Sequence, residues 1–134
     1  MRTNSGLPSS LPTPTEAEEQ TALFEWAELQ SGRFPEVRLL YHVPNGGSRN
    51  KTEAARLRAQ GVKAGVPDLC LPVARGGKHG LYIELKRQRG GRTSEEQEGW
   101  IKALRKQGFA AEVCKGWQEA AEMIVEYLRQ EGST

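Results

Sequence analysis

The feature that most limits how this chain can fold lies between residues 66 and 86. Two short apolar runs, Leu69 to Val73 and Leu81 to Leu85, are joined by the loop Ala74-Arg75-Gly76-Gly77-Lys78-His79-Gly80. Runs of this length, bounded by glycine-rich turn chemistry, read as strands, and the short connection lets them pair as a hairpin. Side chains alternate faces along a strand, so Glu84 and Lys86 share one face while Ile83 and Leu85 point into the core. Charges set among Leu81, Tyr82, Ile83 and Leu85 are costly unless they are paired or functional. Asp68 opens the first run, directly after Val66-Pro67. In a hairpin Asp68 can sit beside Glu84, and two carboxylates and one ammonium then converge at one edge of the sheet.

The flanking sequence supplies the layers for such a sheet. A helix is predicted from Thr15, where Thr15 and Glu18 have the spacing of a capping box. Leu23, Phe24 and Ala27 mark its buried stripe; Glu16 and Gln20 fall in line with that stripe, Glu18 points away and Glu19 lies on the flank. A carboxylate in line with a buried stripe either frays into solvent at the helix end or points into a cleft. Val37 to Val43 reads as a strand ending at the turn Pro44-Asn45-Gly46-Gly47. A basic helix over Lys51 to Gln60 stops at Gly61. Beyond the arginine- and glycine-rich stretch Arg87 to Arg92, a helix is predicted over Ser94 to Lys106, with Trp100, Ile101 and Leu104 as its apolar face. Gly108 ends it, Phe109 to Cys114 reads as a strand, and Trp117 to Arg129 forms a last amphipathic helix. This alternation predicts an α/β domain with a mixed central sheet flanked by helices. Residues 1–14, with three prolines and no apolar periodicity, read as a disordered tail. One domain is expected over 15–130, followed by a short tail at 131–134.

Composition excludes several classes. The chain has 134 residues, of which 37% are hydrophobic, enough for one core. No apolar run reaches the roughly 20 residues a bilayer-spanning helix needs, and the N-terminus lacks a secretory signal pattern. Two cysteines, Cys70 and Cys114, are too few for a disulfide scaffold and lack metal-ligand spacing; both are read as core residues in a soluble, intracellular domain. The formal charge of +2 conceals an asymmetry: residues 49–92 carry 11 Lys/Arg against 3 acids, and the rest carries 8 against 14. Asp68 and Glu84 are two of those three acids. A basic middle third fits either a polyanion partner or an unevenly charged surface.

Acids inside that basic stretch fit phosphodiester hydrolysis. Two adjacent carboxylates repel unless a hard divalent cation lies between them, and oxygen donors of this kind suit Mg²⁺. Such an ion neutralises phosphate charge and activates water, and Lys86 would position or help deprotonate the attacking water. A lone Glu-x-Lys is also an ordinary surface pair; the preceding Pro67-Asp68, one hairpin away, gives it weight.

Val66-Pro67-Asp68 with Ile83-Glu84-Leu85-Lys86 resembles the signature of the PD-(D/E)XK nucleases. Further segments resemble the virus-type replication–repair nuclease domain, VRR-NUC, in its stand-alone phage or bacterial form: Thr15-Glu16 through Gln20, Val43-Pro44-Asn45-Gly46-Gly47, Gly61 through Asp68, His79 through Lys86, and Ser94 through Trp100. The resemblance spans residues 15–128 in order, with no departure at the catalytic positions. It implies a Mg²⁺- or Mn²⁺-dependent DNA endonuclease. The implied metal ligands are Asp68, Glu84 and the backbone carbonyl of Leu85, with Lys86 as catalytic lysine. The helix-borne glutamate matches Glu16, through its spacing to Gln20, and Glu19 is the substitute in another register. Gln97 fits a capping box with Ser94 and, by the resemblance, a place near the active centre. A homodimer acting on branched or Holliday-junction DNA in replication, repair or recombination is implied, in the cytoplasm of a bacterium or a phage-infected host.

Asn45, Arg49, Lys51, Lys63, Arg87 and Arg89 are candidate DNA contacts, within a basic set that also includes Arg56, Arg58, Arg75, Lys78 and Arg92. Phosphate contacts of this kind position a duplex without reading bases. No zinc finger or recognition helix is evident, and a chain this short leaves little room for the target-reading element of a restriction-type nuclease. A binding module that does not cut has no need of acids inside a basic surface.

Overall fold

The computed structural model describes residues 12–44 and 50–132. The tail expected over 1–14 falls mostly outside them, as do Asn45 and Arg49. Four helices and four strands follow one another as α1 (Glu16–Gln30), β1 (Tyr41–His42), α2 (Lys51–Ala59), β2 (Leu69–Leu71), β3 (Leu81–Lys86), α3 (Glu95–Lys106), β4 (Ala110–Lys115) and α4 (Trp117–Leu128), with a 3-10 helix over Pro35–Leu39. The strands lie in the order β1-β2-β3-β4. The first two pairings are antiparallel and β3 runs parallel to β4, so the expected mixed sheet forms with α3 as the crossover between its parallel strands.

The pleat of β3 divides the core. Leu81, Ile83 and Leu85 face a large cluster with Leu23 and Ala27 of α1 and Ala120, Ile124 and Leu128 of α4. Tyr82 faces the other way, onto Ile101 and Leu104 of α3 with Ala111 and Val113 of β4. Helices therefore cover both faces of the sheet, and β3, second from the edge, is buried along nearly its whole length. A fully buried Leu23 or Ile124 stabilises this packing by roughly 1.5–3 kcal/mol. Tyr127 fixes α4 to the end of β2, its hydroxyl donating to the Val73 carbonyl at 2.6 Å.

Two expectations are corrected. Val37 to Val43 is not one strand. Pro35 opens a 3-10 turn, for which its fixed φ is suited, and Val37 and Leu40 are buried three residues apart while Leu39 and Tyr41 are half exposed. Only Tyr41–His42 pairs with β2. In α1 the buried line is Glu19, Leu23 and Ala27; Glu19, expected on the flank, is 1% exposed. Other boundaries move by a residue or two, and Ser94 and Thr15 take the predicted capping positions. Both cysteines are buried and free. Among the described residues no helix is long and apolar enough to cross a membrane.

Candidate active site

Asp68 is placed by the backbone on both sides of it. Gly65, at φ 92°, passes so near α3 that a Cβ there would lie 2.6 Å from the Glu96 carbonyl carbon. Only glycine fits both constraints. The chain then enters the interior at buried Pro67 and begins β2. Just past β1, the Val43 N–H donates to the Asp68 carbonyl at 2.6 Å, and His42 Nδ1 lies 3.1 Å from the same oxygen. On the other side, Asp68 Oδ2 accepts the Leu85 N–H at 3.0 Å. Since Leu69 pairs with Ile83, the next step along the antiparallel register sets Asp68 opposite Glu84.

Glu84 is 1% exposed. Its Oε2 accepts from Gln97 Nε2 at 2.8 Å and lies 3.4 Å from Lys86 Nζ. Its Oε1 is buried with no hydrogen-bond partner. Burial, and then the negative charge of Asp68, push the Glu84 carboxyl up to about 8, against the pull of Lys86. A carboxyl held this far above its ordinary range marks a functional site when a specific charged partner stands beside it. Gln97 makes two contacts: its Oε1 accepts the Ser94 N–H at 2.8 Å, closing the capping box of α3, while its amide N–H₂ donates to Glu84.

Lys86 is buried at the end of β3, its Nζ 4.0 Å from Glu16 Oε2. Glu16 is half exposed and sits at the outer edge of the group. Glu19 is directed elsewhere, its Oε1 accepting the Trp117 N–H at the start of α4 at 2.9 Å. Arg87 and Arg89 follow Lys86 on an exposed loop, and Lys51 and Lys63 are exposed. Arg75 is not part of this surface. It is mostly buried beyond the far end of β2, donating to Glu36 at 2.9 Å and to the Leu128 and Ala74 carbonyls.

The donor set suits a hard cation. Glu84 keeps one buried oxygen without a hydrogen-bond partner, the charge of Asp68 acts on the same carboxyl, and a divalent ion between the two acids would displace the proton that burial favours. Among the described residues no three carboxylate, imidazole or thiol groups converge, so Asp68 and Glu84 would need the Leu85 carbonyl and water to complete the shell. Glu16 stands on the Lys86 side.

Sequence reasoning missed two contacts. His42 touches the Asp68 main chain, and its place in a short edge strand carries no sequence signal for that contact. Glu19 was a stand-in for Glu16, and the sign of its real place is the bare Gly116-Trp117 junction, which carries no capping side chain.

An aspartate at the head of one strand, opposite a Glu-x-Lys on the next, in a mixed sheet covered by helices, defines a nuclease domain of the PD-(D/E)XK type. The chain belongs to the VRR-NUC domain family, whose model matches residues 14–118. A solved structure described as a VRR_NUC domain protein is similar at a TM-score of 0.80 and 34% sequence identity, over 91% of this chain and 94% of that one. No curated protein matches.

Proposed function

We propose that this domain is a divalent-metal-dependent endonuclease that hydrolyses phosphodiesters of branched DNA as a homodimer. The observation that carries this reading is Glu84: a fully buried carboxyl with one oxygen held by Gln97 and Lys86, the other without a partner, and the Asp68 charge acting on it. Burying a group in this way is costly, and a bound cation would offset that cost.

Each residue's part follows from its contacts. Asp68 and Glu84 would hold Mg²⁺ or Mn²⁺, with the Leu85 carbonyl as third ligand. When bound, the ion supplies Lewis-acid polarisation of the scissile phosphate and neutralises its charge. Gln97 holds one oxygen of Glu84 and so fixes its rotamer. The Leu85 N–H fixes Asp68 in turn. Lys86 is held between Glu84 and Glu16 in a partly dry setting, where a charge acts more strongly than in water. Its Nζ protons can bond the phosphate or orient the attacking water. Glu16 opposes that charge from the solvent side and can accept a proton from water there. Arg87 and Arg89 supply phosphate contacts on an adjoining loop, which give affinity without reading bases.

The test is cleavage of labelled four-way junction, flap, splayed-arm, linear duplex and single-stranded DNA with Mg²⁺, Mn²⁺ or EDTA. The wild type should cut a branched substrate only with metal, and Asp68→Asn and Lys86→Ala should not. Binding every substrate while cutting none, under both metals, refutes the enzyme reading and leaves a DNA-binding module.

A further inference from the structure

α4 begins without a cap of its own. Its N-cap residue is Gly116, at φ 85° and ψ 155°, a conformation that L side chains rarely adopt. Glycine there leaves no side chain to satisfy the first-turn N–H groups, a role usually filled by Ser, Thr, Asp or Asn. Glu19 fills it from 98 residues away, accepting the Trp117 N–H at 2.9 Å. A carboxylate is well matched to the positive end of a helix dipole.

This junction bonds to the strand that carries Lys86, and α1 reaches the same lysine. The Gly116 N–H donates to the carbonyl of Lys86 at 2.9 Å, so the residue bonded to Glu19 directly follows the one bonded to the catalytic strand. On α1, Glu16 stands one turn before Glu19 and lies 4.0 Å from Lys86 Nζ. A carboxylate that is 1% exposed, with a second oxygen lacking any partner, is expensive as a simple helix cap. Glu16 is half exposed, and the buried residue nearest it on α1 is Glu19.

We propose that Glu19 is a positioning residue: by capping α4 across the domain it locks the first turn of α1, and so holds Glu16 against Lys86. The consequence for turnover rests on the nuclease reading above; the geometric claim does not.

Two sets of measurements separate these. In the first, Glu19→Ala lowers kcat by about 10- to 100-fold, the range for residues that orient a metal site's groups, with KM unchanged. Glu19→Gln, which keeps an oxygen acceptor for Trp117, recovers most of that loss. In a Glu16→Ala background, Glu19→Ala costs little more, because the two act through one contact. Losses that multiply, or a wild-type kcat in Glu19→Ala, overturn the proposal. The second set needs no cleavage: the Lys86 ε-methylene NMR signal shifts in the same direction in Glu16→Ala and Glu19→Ala, and the Trp117 amide exchanges faster only in the latter. A Lys86 signal unmoved in Glu19→Ala overturns the proposal whether or not the wild type cuts DNA. If Glu19→Ala does not fold, Glu19→Asp, which keeps the charge on a side chain one methylene too short for the Trp117 N–H, decides: a Lys86 signal shifted as in Glu16→Ala supports the link, and an unmoved one refutes it.

Discussion

Raising the pH should destabilise the metal-free domain, and the loss should trace to one residue. Glu84 titrates at about 8 in the fold against 4.5 as the ordinary value. The folded state therefore binds the proton more tightly than the unfolded chain. Stability from this group is complete below about pH 4.5 and is lost as pH rises through 8. Each pH unit of such a difference is about 1.4 kcal/mol, so the ceiling is on the order of 5 kcal/mol. The Lys86 ammonium favours the charged form, and its pull is already included in the net upward displacement. The assay is urea unfolding in EDTA at intervals from pH 5 to 9, comparing the wild type with Glu84→Gln. Other titrating groups are common to both proteins, so the difference between the two curves isolates Glu84. It should grow by several kcal/mol across that interval, and Mg²⁺ or Mn²⁺ should erase most of it at high pH. Parallel curves would refute the reasoning, since burial and the neighbouring Asp68 charge would then not be acting on Glu84.

Three further outcomes follow from single contacts. Gln97→Ala removes half of the α3 capping box and one hydrogen bond to Glu84; chemical denaturation should show a loss of about 1–2 kcal/mol, with weaker binding of Mn²⁺. Gly116→Ala puts a Cβ at φ 85° and 2.9 Å from the Gln88 side chain, and should lower stability by about 1–3 kcal/mol in the same assay. Tyr127→Phe orphans the buried Val73 carbonyl, for which about 1–3 kcal/mol is expected, with kcat unchanged because the site lies at the other end of β2.

What could be read from the sequence was what is local. Thr15 and Ser94 announce their helices through capping chemistry that needs only three residues of context, and both caps form. The Glu84/Lys86 face follows from the pleat alone. The Asp68–Glu84 pairing required only a hairpin with a seven-residue connection, and the register supplies it. Val37 to Val43 misled because alternating apolar residues also fit a period of three: Val37 and Leu40 are the buried pair, and Pro35 tips the balance to the 3-10 turn. Glu19 could not be placed from α1, because its partner is a backbone N–H contributed by the far end of the chain. Arg75 counted as one more cation of a basic surface in the sequence, yet the fold turns it inward onto Glu36. Its pairing depends on a turn that periodicity did not foresee.

The most direct measurement is calorimetric titration of Mn²⁺ and Mg²⁺ into the DNA-free protein at pH 7, in buffers of different ionisation enthalpy. If Asp68 and Glu84 form the cation site, the wild type binds with release of a proton, because Glu84, titrating at about 8, must give one up. Asp68→Asn and Glu84→Gln should lose binding, and Lys86→Ala should retain it. Binding that persists unchanged in Asp68→Asn and Glu84→Gln, or a wild type that binds neither ion, would contradict the assignment.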